Sequence, residues 1–146
     1  MVMKKVMVLV FFFVISLGYS QDWKTNFELV KKEAASQSKP VVLVFSGSDW
    51  CAPCIKLDKS IWQSAEFKEY AASNLILERA DFPKKKQNQL DSNLQKQNDG
   101  LAERYNKEGV FPLVVVLDSK GTVLGKTSYK NVSPNEYIAL LNSFIK

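Results

Sequence analysis

The chain of 146 residues contains no histidine and only two cysteines, Cys51 and Cys54. A structural zinc site takes about four cysteine or histidine ligands, so one copy of this chain cannot complete one with thiolates and imidazoles. Covalent haem attachment needs a histidine directly after the second cysteine, and Ile55 stands there. Internal repeats are missing. Excess charge is small: the formal net charge is +5, and +3 without Lys4 and Lys5. That balance gives no case for nucleic-acid binding. The lysines are scattered except for Lys84-Lys85-Lys86, and such a short run reads as a solvated turn.

What is present begins with a leader. Residues 1–5 make a basic start, and Val6 to Leu17 form an apolar run, short against the roughly 20 residues of a bilayer span. Gly18 and Ser20 then occupy the minus-three and minus-one places for a cut before Gln21. These features predict a signal peptide over residues 1–20, with an uncleaved membrane anchor as the competing reading. No cysteine sits at the cut, which argues against a lipoprotein. Residues 21–146 remain, enough for one domain with a hydrophobic core. Export would place the cysteines where disulfides persist.

Along that domain, Thr25 and Glu28 have capping-box spacing and predict a helix from about 25 to 36. Val41 to Phe45 is a continuous apolar run, read as a strand buried on both faces. Gly47 to Trp50 makes a turn, and Pro53 suits the first turn of a helix that follows. A further helical piece spans Ser64 to Ala72. Leu75 to Asp81 reads as a strand. Residues 84–100 are rich in Lys, Gln, Asn and Asp and predict a polar insertion, helical or flexible. Leu101 to Asn106 predicts a helical turn or two, ended by Gly109. Leu113 to Leu117 and Thr122 to Thr127, joined by Asp118-Ser119-Lys120-Gly121, predict an antiparallel hairpin. Ser133, Pro134 and Glu136 form a second capping box ahead of an amphipathic helix. The order predicts an α/β fold whose parallel pairing ends in an antiparallel edge.

The cysteine pair carries the functional question. A disulfide between residues so near in sequence closes a tiny loop, and its chain-entropy stabilisation is small. A redox role has a clear mechanism. A thiol at a helix N-terminus faces free amide hydrogens and the positive end of the helix dipole, which favour thiolate. Cys51, at the exposed turn, would attack a substrate disulfide. Cys54, one turn inside, would resolve the mixed disulfide. A C-x-x-C pair after a buried strand and before a helix is a strong signal.

These residues resemble the thioredoxin fold. The resemblance lies in Val41 to Phe45, in Trp50-Cys51-Ala52-Pro53-Cys54 and in Lys56. The Gly-Ser-Asp-Trp-Cys approach is similar to secreted bacterial thioredoxin-like proteins and to the periplasmic thioredoxin-like domain of the membrane disulfide reductase. Leu101 to Tyr105, Gly109-Val110-Phe111-Pro112 and the hairpin behind them extend the likeness over about residues 25–145. It implies a central mixed β-sheet flanked by helices, with the polar stretch near 84–100 as an insertion. It further implies that Pro112 is cis, that the Phe111 backbone pairs with an extended substrate, and that Trp50 is an exposed aromatic beside the attacking cysteine. Two positions depart from the family pattern. Its buried aspartate on the central strand is replaced by Val44 or Phe45, leaving Glu78, Asp81 and Lys56 as weak candidates to take the Cys54 proton. Leu113 follows the proline where threonine is common.

The reading that results is a thiol–disulfide oxidoreductase acting on exported proteins as reductant or isomerase, in the periplasm or secreted. It needs no cofactor or metal. A membrane thiol relay is the implied electron donor. The competing reading is a binding or adaptor module of the same fold with a structural disulfide, using the polar insertion as its contact surface.

Overall fold

The computed structural model describes residues 21–145; the leader assigned to residues 1–20 lies outside them. A two-residue strand, β1 (Trp23–Lys24), precedes helix α1 (Phe27–Gln37). The helix begins one residue later than its capping-box pattern predicts. Asn26, not Thr25, is the N-cap, and its side chain accepts from the Leu29 amide at 3.2 Å. Asparagine caps at least as well as threonine, so the better cap prevails. Strand β2 (Val41–Ser46) follows and is buried through Phe45. Helix α2 (Ala52–Leu57) runs directly into a π-helical turn, Asp58–Trp62, and helix α3 (Ala65–Asn74) restarts on a Ser64 cap.

Strand β3 (Ile76–Asp81) leads to a 3₁₀ turn at Lys86–Asn88 and then to helix α4 (Ser92–Tyr105). The second half of the polar stretch, from Ser92, and the predicted turns from Leu101 to Tyr105 are therefore one helix of 14 residues, while residues 84–91 form the loop and 3₁₀ turn ahead of it. Its polar half docks by hydrogen bonds rather than by apolar contact. Buried Asn98 donates to the Asp81 carbonyl at 3.1 Å. Gln97 donates to the Thr25 carbonyl at 2.7 Å and accepts from the Phe27 amide at 3.1 Å.

Strands β4 (Leu113–Leu117) and β5 (Val123–Thr127) form the hairpin, and helix α5 (Pro134–Phe144) closes the chain. The Ser133–Glu136 capping box forms as its spacing predicts. Ser133→Ala is expected to cost about 1 kcal/mol, measured by urea unfolding, because one orphan amide loses its acceptor. No helix among the described residues is long and apolar enough to cross a membrane.

The five strands make one mixed sheet in the order β1-β3-β2-β4-β5. β3 runs parallel to β1 and β2, while β4 is antiparallel to both β2 and β5. Alternation along the strands divides the core into two layers. Val41, Leu43, Phe45, Ile76 and Ala80 pack with α1 and α4 on one face. Val42, Val44 and Leu77 pack with Leu57, Trp62, Phe67 and Tyr137 on the other, which belongs to α2, α3 and α5. Buried tyrosines hold the hairpin at both ends, Tyr105 at its turn and Tyr137 where β5 leaves it. Tyr105 donates to the Gly121 carbonyl at 2.6 Å and Tyr137 to the Ser128 carbonyl at 2.9 Å. Gly121 has φ +85°, and a β-carbon there would lie 2.8 Å from the Tyr105 hydroxyl, so only glycine fits this turn.

Candidate active site

The central strand β2 delivers the chain to the site. It pairs with β3 over Val41–Ser46 and with β4 over Val41–Phe45, so its end is a rigid platform. The turn after it is tied down at two carboxylates. Ser48 donates to Asp81 through its amide at 3.0 Å and its hydroxyl at 2.5 Å. Asp49 accepts from the Lys84 and Lys85 amides, each at 2.9 Å, and from the Asn88 side chain at 3.1 Å. Those bonds, the Lys84 amide foremost, hold the Asp49 carboxyl below its ordinary range.

Cys51 is the N-cap of α2, with extended backbone and its sulfur 3.3 Å from the Cys54 amide. Cys51 and Cys54 form a disulfide, with Cα atoms 5.3 Å apart. The expected contrast in exposure does not occur, since each residue is 4% exposed. A closed bond holds the two sulfurs together, and both are covered alike. Their neighbours differ instead. Cys54 lines a cavity of about 230 Å³ with Val44, Ser46, Trp62, Asp58, Arg79 and Pro112.

The loop before β4 lies across this region. The Phe111–Pro112 peptide is cis. Trp50 stands edge-on to Phe111 with centroids 5.4 Å apart, and Phe111 packs against Phe82 at the same distance. The Trp50 indole donates to the Phe82 carbonyl at 2.7 Å and is 38% exposed. A β-carbon at Gly47 would fall 2.3 Å from that indole, so the tryptophan lies directly on a glycine backbone. Trp50, Phe111, Pro112 and the cysteine pair are thus one cluster.

The three proton-acceptor candidates stand elsewhere. Glu78 alternates with Ile76 and Ala80 and so lies on the α1 and α4 face, across the sheet from α2. Asp81 is engaged by Ser48, and Lys56 is exposed. The acid that shares the cavity with Cys54 is Asp58, one helical turn along. It pairs with Arg79 at 3.1 Å and accepts from Gln63. Its i, i+4 relation to Cys54 was the available signal, but a lone acid on a helix reads as solvated.

The fold and the placement of this disulfide define a thioredoxin-fold thiol–disulfide oxidoreductase. Comparison with known proteins agrees: the family model described as thioredoxin-like matches residues 22–119, and the chain belongs to that family. It is 32% identical over 125 residues to the disulfide bond reductase DsbH of Chlamydia pneumoniae, covering 86% of this chain and 73% of that protein. The thioredoxin-related protein DsbJ of the same organism is 25% identical over 95 residues, 65% of this chain and 26% of that protein. A solved DsbH oxidoreductase superimposes with a TM-score of 0.80 at 30% identity, covering 89% of this chain and 88% of that one. The oxidised C-terminal domain of Neisseria meningitidis DsbD, at 19% identity and a TM-score of 0.51, covers 79% and 89% and shares the fold.

Proposed function

We infer that the protein reduces or isomerises disulfides in exported proteins, with reduction the favoured direction. The observation that carries this is Cys51 at a helix N-cap, its sulfur facing an amide hydrogen, beside the cis-Pro112 loop. In the reduced protein the Cys51 thiolate attacks a substrate sulfur. The substrate S–S bond breaks, a mixed disulfide forms, and the departing thiolate takes a proton. Cys54 then loses its proton toward the cavity it shares with Asp58. Its thiolate attacks the Cys51 sulfur, closes the internal disulfide and frees the second substrate thiol. Trp50 and the Phe111 backbone flank the incoming peptide. Two electrons leave the protein per cycle, and a membrane thiol relay would return them. A cleaved leader over residues 1–20 would deliver domain 21–146 to the periplasm or beyond. The reductase name carried by the Chlamydia relative supports the direction.

The deciding experiment is a redox titration of Cys51–Cys54 in dithiothreitol or glutathione buffers with thiol trapping. Ala52 and Pro53 add no formal positive charge between the thiols. The expected potential is therefore about −270 mV, with prompt reduction of a test disulfide. A value above about −170 mV contradicts the reductant and makes the protein an oxidant or isomerase. A pair that resists reduction below about −300 mV is a structural staple, and the adaptor reading takes its place.

A further inference from the structure

The Lys84-Lys85-Lys86 run does not hang free in solvent. Asp49, two residues before Cys51, accepts both the Lys84 and the Lys85 amide and the Asn88 side chain. The indole of Trp50, adjacent to Cys51, donates to the Phe82 carbonyl and fixes the chain just ahead of the run. The Lys84 ammonium then lies 3.9 Å from the centre of the Trp50 ring. All three lysines are exposed. Among the described residues, none of them enters an ion pair. The acids at this rim are already engaged, Asp49 by the loop itself and Asp81 by Ser48. The rim is therefore a fixed positive edge joined to the tryptophan that borders the cysteine pair.

We propose that Lys84, Lys85 and Lys86 form a docking rim that selects substrates whose disulfide cysteine is flanked by aspartate and glutamate. The proposal rests on the oxidoreductase reading above. Charge complementarity identifies the partner. A substrate cysteine seated at Cys51 carries its neighbours past Trp50. Two or three extended residues span roughly 7 to 10 Å, enough to pass Trp50 and the Lys84 ammonium stacked on it. That separation is close to the physiological Debye length of about 8 Å, so the attraction persists in the cell and weakens in strong salt. Such a rim acts on encounter rate and choice of partner more than on the exchange step itself. The aromatic cluster supplies apolar contact for any peptide; the lysines discriminate among peptides.

The test uses the full mature chain, reduced beforehand, and three disulfides. Two are peptides of one design whose bridged cysteines are flanked either by glutamates or by lysines. The third is hydroxyethyl disulfide, which has no charge and calibrates each protein preparation. Second-order rate constants for oxidation of the Cys51–Cys54 pair are read by thiol trapping. The expected acidic-to-basic ratio is about tenfold at low salt, falling toward unity at 0.5 M salt. K85E/K86E should invert the ratio, and K84Q/K85Q/K86Q should bring it near one. Equal ratios in the wild type and K85E/K86E overturn the rim while the oxidoreductase stands, provided hydroxyethyl disulfide reacts. Failure of the wild type to react even with hydroxyethyl disulfide overturns the oxidoreductase reading, and the rim with it.

Discussion

Cys54→Ser is expected to turn the protein into a trap. Cys51 still attacks, but no second thiol can release the substrate, so covalent complexes accumulate. Denaturing electrophoresis without reductant would show them, and dithiothreitol would dissolve them. Cys51→Ser is expected to form none and to lower disulfide reduction by more than about 10³-fold, because a serine hydroxyl stays protonated near neutral pH and cannot form the mixed disulfide. The asymmetry follows from position. Cys51 caps α2 at the turn, whereas Cys54 forms part of the wall of the cavity beneath. Trapping by Cys51→Ser instead would reverse the two roles. Partner binding that survives Cys51→Ser without any covalent complex in either variant would favour the adaptor.

The parts of this molecule that were legible in its sequence are those where one physical demand dominates. Val41 to Phe45 and Leu113 to Leu117 carry apolar side chains on both faces, and only a strand covered by helices on each side satisfies that pattern. Ser133 and Glu136 satisfy two orphan amides reciprocally, which no other local arrangement does as well. The cysteine pair is legible because its chemistry depends on local spacing.

The illegible parts depend on contacts between distant residues. Strand β1 has two residues and exists only because Trp23 and Lys24 pair with Leu77 and Glu78. Helix α4 looks unattached because Gln97 and Asn98 anchor it through backbone groups of Thr25, Phe27 and Asp81. The Lys84–Lys86 run is exposed, as its composition indicates, but what orders its backbone was not legible. Its ordering comes from Asp49, some 35 residues earlier in the chain. Asp58 was overlooked because its partner, Arg79, is contributed by a different strand.

Glu78 should make the protein lose stability as pH rises from 4.5 to about 8. The residue is fully buried on β3, and neither carboxylate oxygen has a hydrogen-bond partner among the described residues. Burial pushes its pKa from the ordinary 4.5 up to about 8, against a weaker opposing pull from Lys24. The Lys24 ammonium is itself engaged by Asp22 at 2.5 Å and Glu33 at 3.2 Å. Below pH 4.5 the glutamate is protonated in both states, and the folded form bears no charge penalty. Between 4.5 and 8 the unfolded chain releases this proton while the folded chain keeps it, so unfolding gains ground with every pH unit. Across that window the loss approaches about 5 kcal/mol, the shift expressed as free energy at about 1.4 kcal/mol per unit. Asp49 and Asp118, whose pKa values are lowered by backbone hydrogen bonds, act below pH 4 and in the opposite direction. Glu78→Gln keeps the shape of the neutral acid and removes its titration. Urea unfolding of the oxidised protein from pH 4.5 to 8.5 should show a steep fall for the wild type and a nearly flat profile for the variant. The variant should overtake the wild type toward pH 8, even though its amide also lacks partners. Parallel profiles would mean that Glu78 binds its proton equally in both states, and that the buried carboxyl finds a compensating charge on folding.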